Sequence, residues 1–127
     1  MSELRYSRTW YLIGVILTLI VIVGCLVPAR DVPRMPIGDK LQHLVAYSGL
    51  ALWFGGLVPP RRYLQLALTL LALGGGIEMA QGLMGLGREA DWRDFYADAL
   101  GAALGLALSL AGLSQWPAWF ERWPRQR

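Results

Sequence analysis

Four long stretches of the chain carry no formal charge or only one. Residues 9–29, 41–60 and 99–120 carry none, and residues 63–87 carry only Glu78. A helix rises 1.5 Å per residue, so about 20 apolar residues cross the ~30 Å hydrocarbon layer of a bilayer. All four stretches reach that length. The pattern predicts an all-α polytopic membrane protein, a bundle of four transmembrane helices at about 10–27, 40–58, 63–83 and 94–113. These helices and their connections form a single membrane domain over residues 1–127. Trp116, Trp119, Phe120 and Trp123 stand with Arg122 and Arg125 in the remaining segment, 114–127. Amphipathic rings beside arginines predict an interfacial tail there.

The breaks between the stretches carry turn chemistry. Pro28, Pro33 and Pro36 interrupt regular structure after the first stretch, and Gly38-Asp39 then opens the second, with Asp39 as a helix cap. Pro59-Pro60 ends the second stretch, and Arg61 and Arg62 mark a short turn. Gly74-Gly75-Gly76 falls inside the third. Three consecutive glycines either weaken a helix or admit a very close neighbour. In the fourth, Ala97, Gly101 and Gly105 recur every four residues, as do Ala99, Ala103 and Ala107. Such small faces predict close helix packing, within one chain in preference to a homodimer seam.

Composition supports a membrane setting: 55% of residues are hydrophobic and 17% charged, too apolar for an ordinary soluble domain. The net charge of +3 does not point to nucleic acid, because the basic residues sit at helix ends and form no basic face. Their distribution predicts orientation instead. Arg5, Arg8, Arg61, Arg62, Arg122, Arg125 and Arg127 fall on one side, against Arg30, Arg34, Lys40, Arg88 and Arg93 on the other. The richer side is predicted to be cytoplasmic, which puts both termini there. The lone cysteine, Cys25, excludes an intrachain disulfide. Ile22-Val23-Gly24-Cys25 after Arg5 and Arg8 resembles a lipoprotein signal, but three further spans make a lipid anchor redundant. An ordinary first helix is the reading adopted.

The polar residues at the edges of the apolar stretches carry the candidate chemistry. Asp39, His43 and Tyr47 are spaced four apart and share one helix face. Glu78 and Gln81 share another, and Asp94 and Asp98 a third. In the four-span topology all lie towards the outer side, with Arg88 in the second outer loop. Glu78, Gln81, His43, Arg88 and Asp98 are therefore expected to meet around a pocket. Asp39 and Asp94 also suit helix caps. Arg88, Glu89, Asp91 and Arg93 also suit a solvated loop with local ion pairs. A structural pairing of Glu78 with Arg88 or His43 competes with a catalytic role. The spacing of the acids and the histidine matches no metal signature, so no metal and no cofactor are expected. There is no nucleophile elbow, phosphate loop or dinucleotide motif.

Taken together, Asp39-Lys40, His43 and Tyr47, followed by Glu78, Gln81, Arg88, Asp94 and the Gly101/Gly105 pair, resemble the two signatures of the VanZ-like family over about residues 10–113. The resemblance implies a small bacterial integral membrane protein. It also implies a place for the matching residues in a shared site. The family is named for a member associated with teicoplanin resistance, and the resemblance carries no reaction. Asp98 stands where the family usually has asparagine, so a role needing a neutral amide is not carried over.

Three functions remain open from the sequence. The first is binding of a polar, lipid-linked or glycopeptide envelope ligand through Asp39, Lys40, His43, Tyr47, Glu78, Gln81, Arg88, Asp94 and Asp98. The second is acid/base catalysis on a lipid-linked substrate by Glu78, His43 and Asp98. The third is a structural subunit of a membrane complex. Membrane lipids are partners in each, and the bacterial cytoplasmic membrane is the expected location.

Overall fold

The computed structural model describes residues 4–26, 38–84 and 92–122. Five α-helices make up the described chain: α1 (Ser7–Leu26), α2 (Gly38–Gly55), α3 (Tyr63–Met84), α4 (Trp92–Leu110) and α5 (Trp116–Arg122). Single 3₁₀ turns at Pro60–Arg62 and Leu113–Gln115 precede α3 and α5. There is no strand among the described residues.

α1 and α3 are each long and apolar enough to cross a membrane, with mean hydropathies of 2.0 and 1.4 over Ser7–Cys25 and Pro60–Leu83. α4 and α5 together make a third candidate, bent by 80° between them. α2 is not among these candidates, and its polar residues explain why. Asp39, Lys40, Gln42 and His43 lower its hydropathy, and one face of the helix, with Tyr47, Leu50 and Ala51, packs into the core of the bundle.

The helices run alternately up and down. Tyr11, early in α1, donates its hydroxyl to the Leu57 carbonyl just past α2 (3.1 Å). Gln81, late in α3, meets Cys25, late in α1. α2 and α4 are parallel and form the most extensive pairing in the fold. Gly101 and Gly105 make that pairing possible. A methyl group at either would lie 2.5 Å from a backbone oxygen of α2, that of Leu44 or Ser48. The Ser48 hydroxyl donates to the Gly101 carbonyl across the same seam (3.0 Å). The small face at Ala97, Gly101 and Gly105 is thus spent within the chain. Around the seam, Tyr47, Leu50, Ala51, Tyr63, Leu70, Ala102 and Leu106 form the buried core.

The outward faces are apolar. Leu12, Val15, Ile16, Leu19, Ile20 and Val23 of α1 are exposed, as are Leu64, Leu68 and Leu83 of α3. In water, continuous faces of this size are rare. A bilayer is the solvent that accepts them.

Two helix ends differ from expectation for local reasons. α2 stops at Gly55, not Val58, because Gly55-Gly56 and Pro59-Pro60 follow; the chain closes with turn bonds from Leu57 and Val58 to the Phe54 carbonyl. α4 stops at Leu110, not Leu113, because Gly112 takes φ +125° and turns the chain away. The glycine triplet at 74–76 does not interrupt α3.

At the end where α1 begins, the tail packs. Trp116 donates its indole N–H to the Leu52 carbonyl (3.1 Å) and lies against Trp53 and Trp10, with ring centroids 4.2 and 5.3 Å away. Trp119 and Phe120 are exposed. Trp123 and Arg125 lie outside the described residues. The Glu121 carboxylate accepts from the backbone N–H groups of Arg5 (2.9 Å) and Tyr6 (2.8 Å) and from the Trp10 indole (2.8 Å). It caps α1 from 111 to 116 residues away along the chain.

Candidate functional site

The opposite end of the bundle holds a buried polar cluster. Its residues enter from three helices: His43 and Tyr47 from α2, Glu78 and Gln81 from α3, Asp94 and Asp98 from α4. All six are buried; Tyr47, Glu78 and Asp98 are each only 1% exposed. The i, i+3 and i, i+4 spacings aim each pair inward from its own helix.

The α2–α4 seam sets the central contact. His43 Nδ1 lies 2.7 Å from Asp98 Oδ1. With Asp98 ionised its oxygen only accepts, so Nδ1 then carries the proton and donates, which sets the tautomer of a neutral ring. His43 Nε2 then faces Asp94 Oδ2 at 3.7 Å, longer than a charge-assisted hydrogen bond. Asp94 sits in the first turn of α4, where the helix dipole favours a carboxylate.

α3 reaches the cluster through Gly74. A methyl group there would lie 2.8 Å from Asp98 Oδ2, so the Asp98 carboxylate rests against the bare backbone one turn before Glu78. Of the triplet, Gly74 alone serves close approach; a methyl group at Gly76 would meet nothing within 4 Å. Glu78 contributes a carboxylate oxygen within 4.8 Å of ligand atoms from both His43 and Asp94.

Gln81 ties the cluster to α1, its Nε2 donating to the Cys25 carbonyl at 2.5 Å. That carbonyl belongs to the last described turn of α1. Asp98, Cys25 and Glu78 all lie within electrostatic range of the Tyr47 phenol. Two buried atoms, the Tyr47 hydroxyl and Gln81 Oε1, have no hydrogen-bond partner among the described residues.

Of the residues expected to form the site, the structure brings together His43, Tyr47, Glu78, Gln81, Asp94 and Asp98. Asp39 and Lys40 lie in the first turn of α2, and only their backbone is described. Arg88, Glu89 and Asp91 lie outside the described residues. The Cys25 carbonyl is an addition that no sequence pattern marks, since any residue type would supply it. The spacing of the acids and histidine matches no metal signature, yet His43, Glu78 and Asp94 converge with ligand-bearing atoms. Comparison with known proteins adds no relative: no family model, no curated protein and no solved structure matches the chain.

Proposed function

We propose that the chain is a multi-pass protein of the bacterial cytoplasmic membrane that crosses it four times with both termini in the cytoplasm. Its polar cluster, towards the outer side, holds the polar head of a lipid-linked envelope ligand. Kinship with the VanZ-like family belongs to this proposal, as does any link to glycopeptide resistance. Both rest on the resemblance of the cluster residues alone.

The observation that carries the binding reading is the pair of atoms without a partner among the described residues, the Tyr47 hydroxyl and Gln81 Oε1. A buried polar group without a partner costs about 1–3 kcal/mol. A helix bundle gains nothing by keeping two of them beside an acid–histidine network unless they meet a bound group. The exposed apolar faces of α1 and α3 support the membrane setting, and the arginine excess at the Arg5, Arg61 and Arg122 end supports the orientation.

The test is native mass spectrometry of the protein extracted from bacterial membranes. A retained lipid adduct is expected, reduced at least several-fold by Tyr47→Phe. With the adduct stripped, the same variant should be as stable as the native protein or more so, because it removes an unsatisfied hydroxyl. Equal adducts in both proteins would contradict the reading.

The Asp98–His43 contact favours a second reading, acid/base catalysis on such a ligand. Asp98 leaves His43 Nε2 as the base, with Glu78 as a second carboxyl group in reach. Here His43→Gln should abolish turnover of the lipid-linked substrate while the adduct is still retained.

A further inference from the structure

We infer that the cluster is a binding site for one divalent transition-metal cation, held by His43 Nε2 and one carboxylate oxygen each from Glu78 and Asp94. The inference goes beyond the head-group reading and stands without it, since a cation can be held by protein that carries no lipid.

Geometry is the first argument. The three ligand-bearing atoms lie within 4.8 Å of one another, and His43 Nε2 and Asp94 Oδ2 are 3.7 Å apart. Around a tetrahedral ion with bonds of ~2.0–2.2 Å, neighbouring ligand atoms are about 3.2–3.6 Å apart. Closing the triangle from within 4.8 Å takes shifts of about an ångström.

The donor set is the second argument. Imidazole nitrogen with two carboxylates suits zinc, iron or manganese better than magnesium or calcium. The Asp98 contact supplies what a metal-binding histidine needs. With Asp98 ionised, its carboxylate accepts a hydrogen bond from Nδ1–H at 2.7 Å, which leaves Nε2 facing Asp94 at 3.7 Å. Carboxylate–histidine–metal arrangements use that same contact to orient the ring and raise its basicity. Three carboxyl groups gathered among apolar helices also raise one another's energy, and a dication offsets two of those charges.

The unpartnered atoms are the third argument and independent of the first two. Gln81 Oε1 lies one turn beyond Glu78 on α3, and the Tyr47 phenol lies within electrostatic range of Glu78 and Asp98. These are the polar atoms left to complete the coordination, directly or through a water. Asp98 acts through His43 and is a positioning residue.

The test uses the full-length protein purified in detergent through a tag without histidine, so that His43 is the only imidazole present. The protein is stripped with a chelator, loaded with Zn²⁺ and dialysed at micromolar free zinc. One zinc per chain is expected. Its X-ray absorption spectrum should show one imidazole, with oxygen as the remaining neighbours and no sulfur. Glu78→Gln and Asp94→Asn should each lose the zinc, and Asp98→Asn should weaken it about 10–100-fold. If those variants fail to fold, the spectrum of the native protein decides alone. No retained zinc, a sulfur neighbour that implicates Cys25, or equal retention by folded Glu78→Gln and Asp94→Asn would each overturn the proposal.

Discussion

The two ends of the bundle treat buried polar groups in opposite ways. At the end where α1 begins, one carboxylate, that of Glu121, accepts from three N–H donors, and the Trp10, Trp53 and Trp116 indoles all donate to protein oxygens. Among the described residues, each of these contacts closes on the protein itself. At the other end, three carboxyl groups and one imidazole gather from three helices, and the Tyr47 hydroxyl and Gln81 Oε1 are left over. The first arrangement holds the fold; the second, on the reading proposed above, keeps polar capacity in reserve. The difference separates a polar contact that stabilises from one that awaits something, in a chain whose apolar helices make any reserve expensive.

Which end faces out is an all-or-none matter. With single cysteines in a Cys25→Ser background, an impermeant reagent applied to intact cells should leave residue 62 unlabelled. Labelling there would reverse the orientation and put the polar cluster on the cytoplasmic side. Disruption of the seam that joins the two ends has the next largest expected effect. Gly101→Val would drive a side chain into the Leu44 carbonyl, where only backbone movement could make room. A loss of at least about 3 kcal/mol is expected, read as failure to recover folded protein. Normal recovery and unchanged thermal unfolding would mean that the α2–α4 pairing does not set the cluster's geometry.

The helices were largely legible in the sequence, because charge-free runs of membrane length leave few other structures open. Their ends were less so. Gly112 ends α4 through a single positive φ, and nothing in the pattern ranked it above its neighbours. The cluster was legible in part. Spacing of four placed His43 with Tyr47 and Asp94 with Asp98 on common faces, while the glycine triplet left a weak helix and a close approach both open, and only Gly74 makes the approach. The pairing of His43 with Asp98 was not readable, because it depends on how α2 and α4 register against each other. The metal-like constellation was hidden for the same reason: its members stand at 43, 78 and 94, one on each of three helices, and motif spacing describes ligands that share one element. Glu121 reads as an ordinary charge among tail arginines, since its partners are the far end of the chain.

The contrast between the ends rests on what each carboxylate does for the protein with nothing bound. The most direct measurement is thermal unfolding of chelator-treated, lipid-stripped protein beside Glu78→Gln and Glu121→Gln. Glu121→Gln should be less stable by about 1 kcal/mol, because it loses a charged helix cap. On the proposed binding reading, Glu78→Gln should lie within about 0.5 kcal/mol of the native protein or above it. The reverse order, with Glu78→Gln clearly destabilised and Glu121→Gln unchanged, would make the polar cluster a structural network and contradict the account.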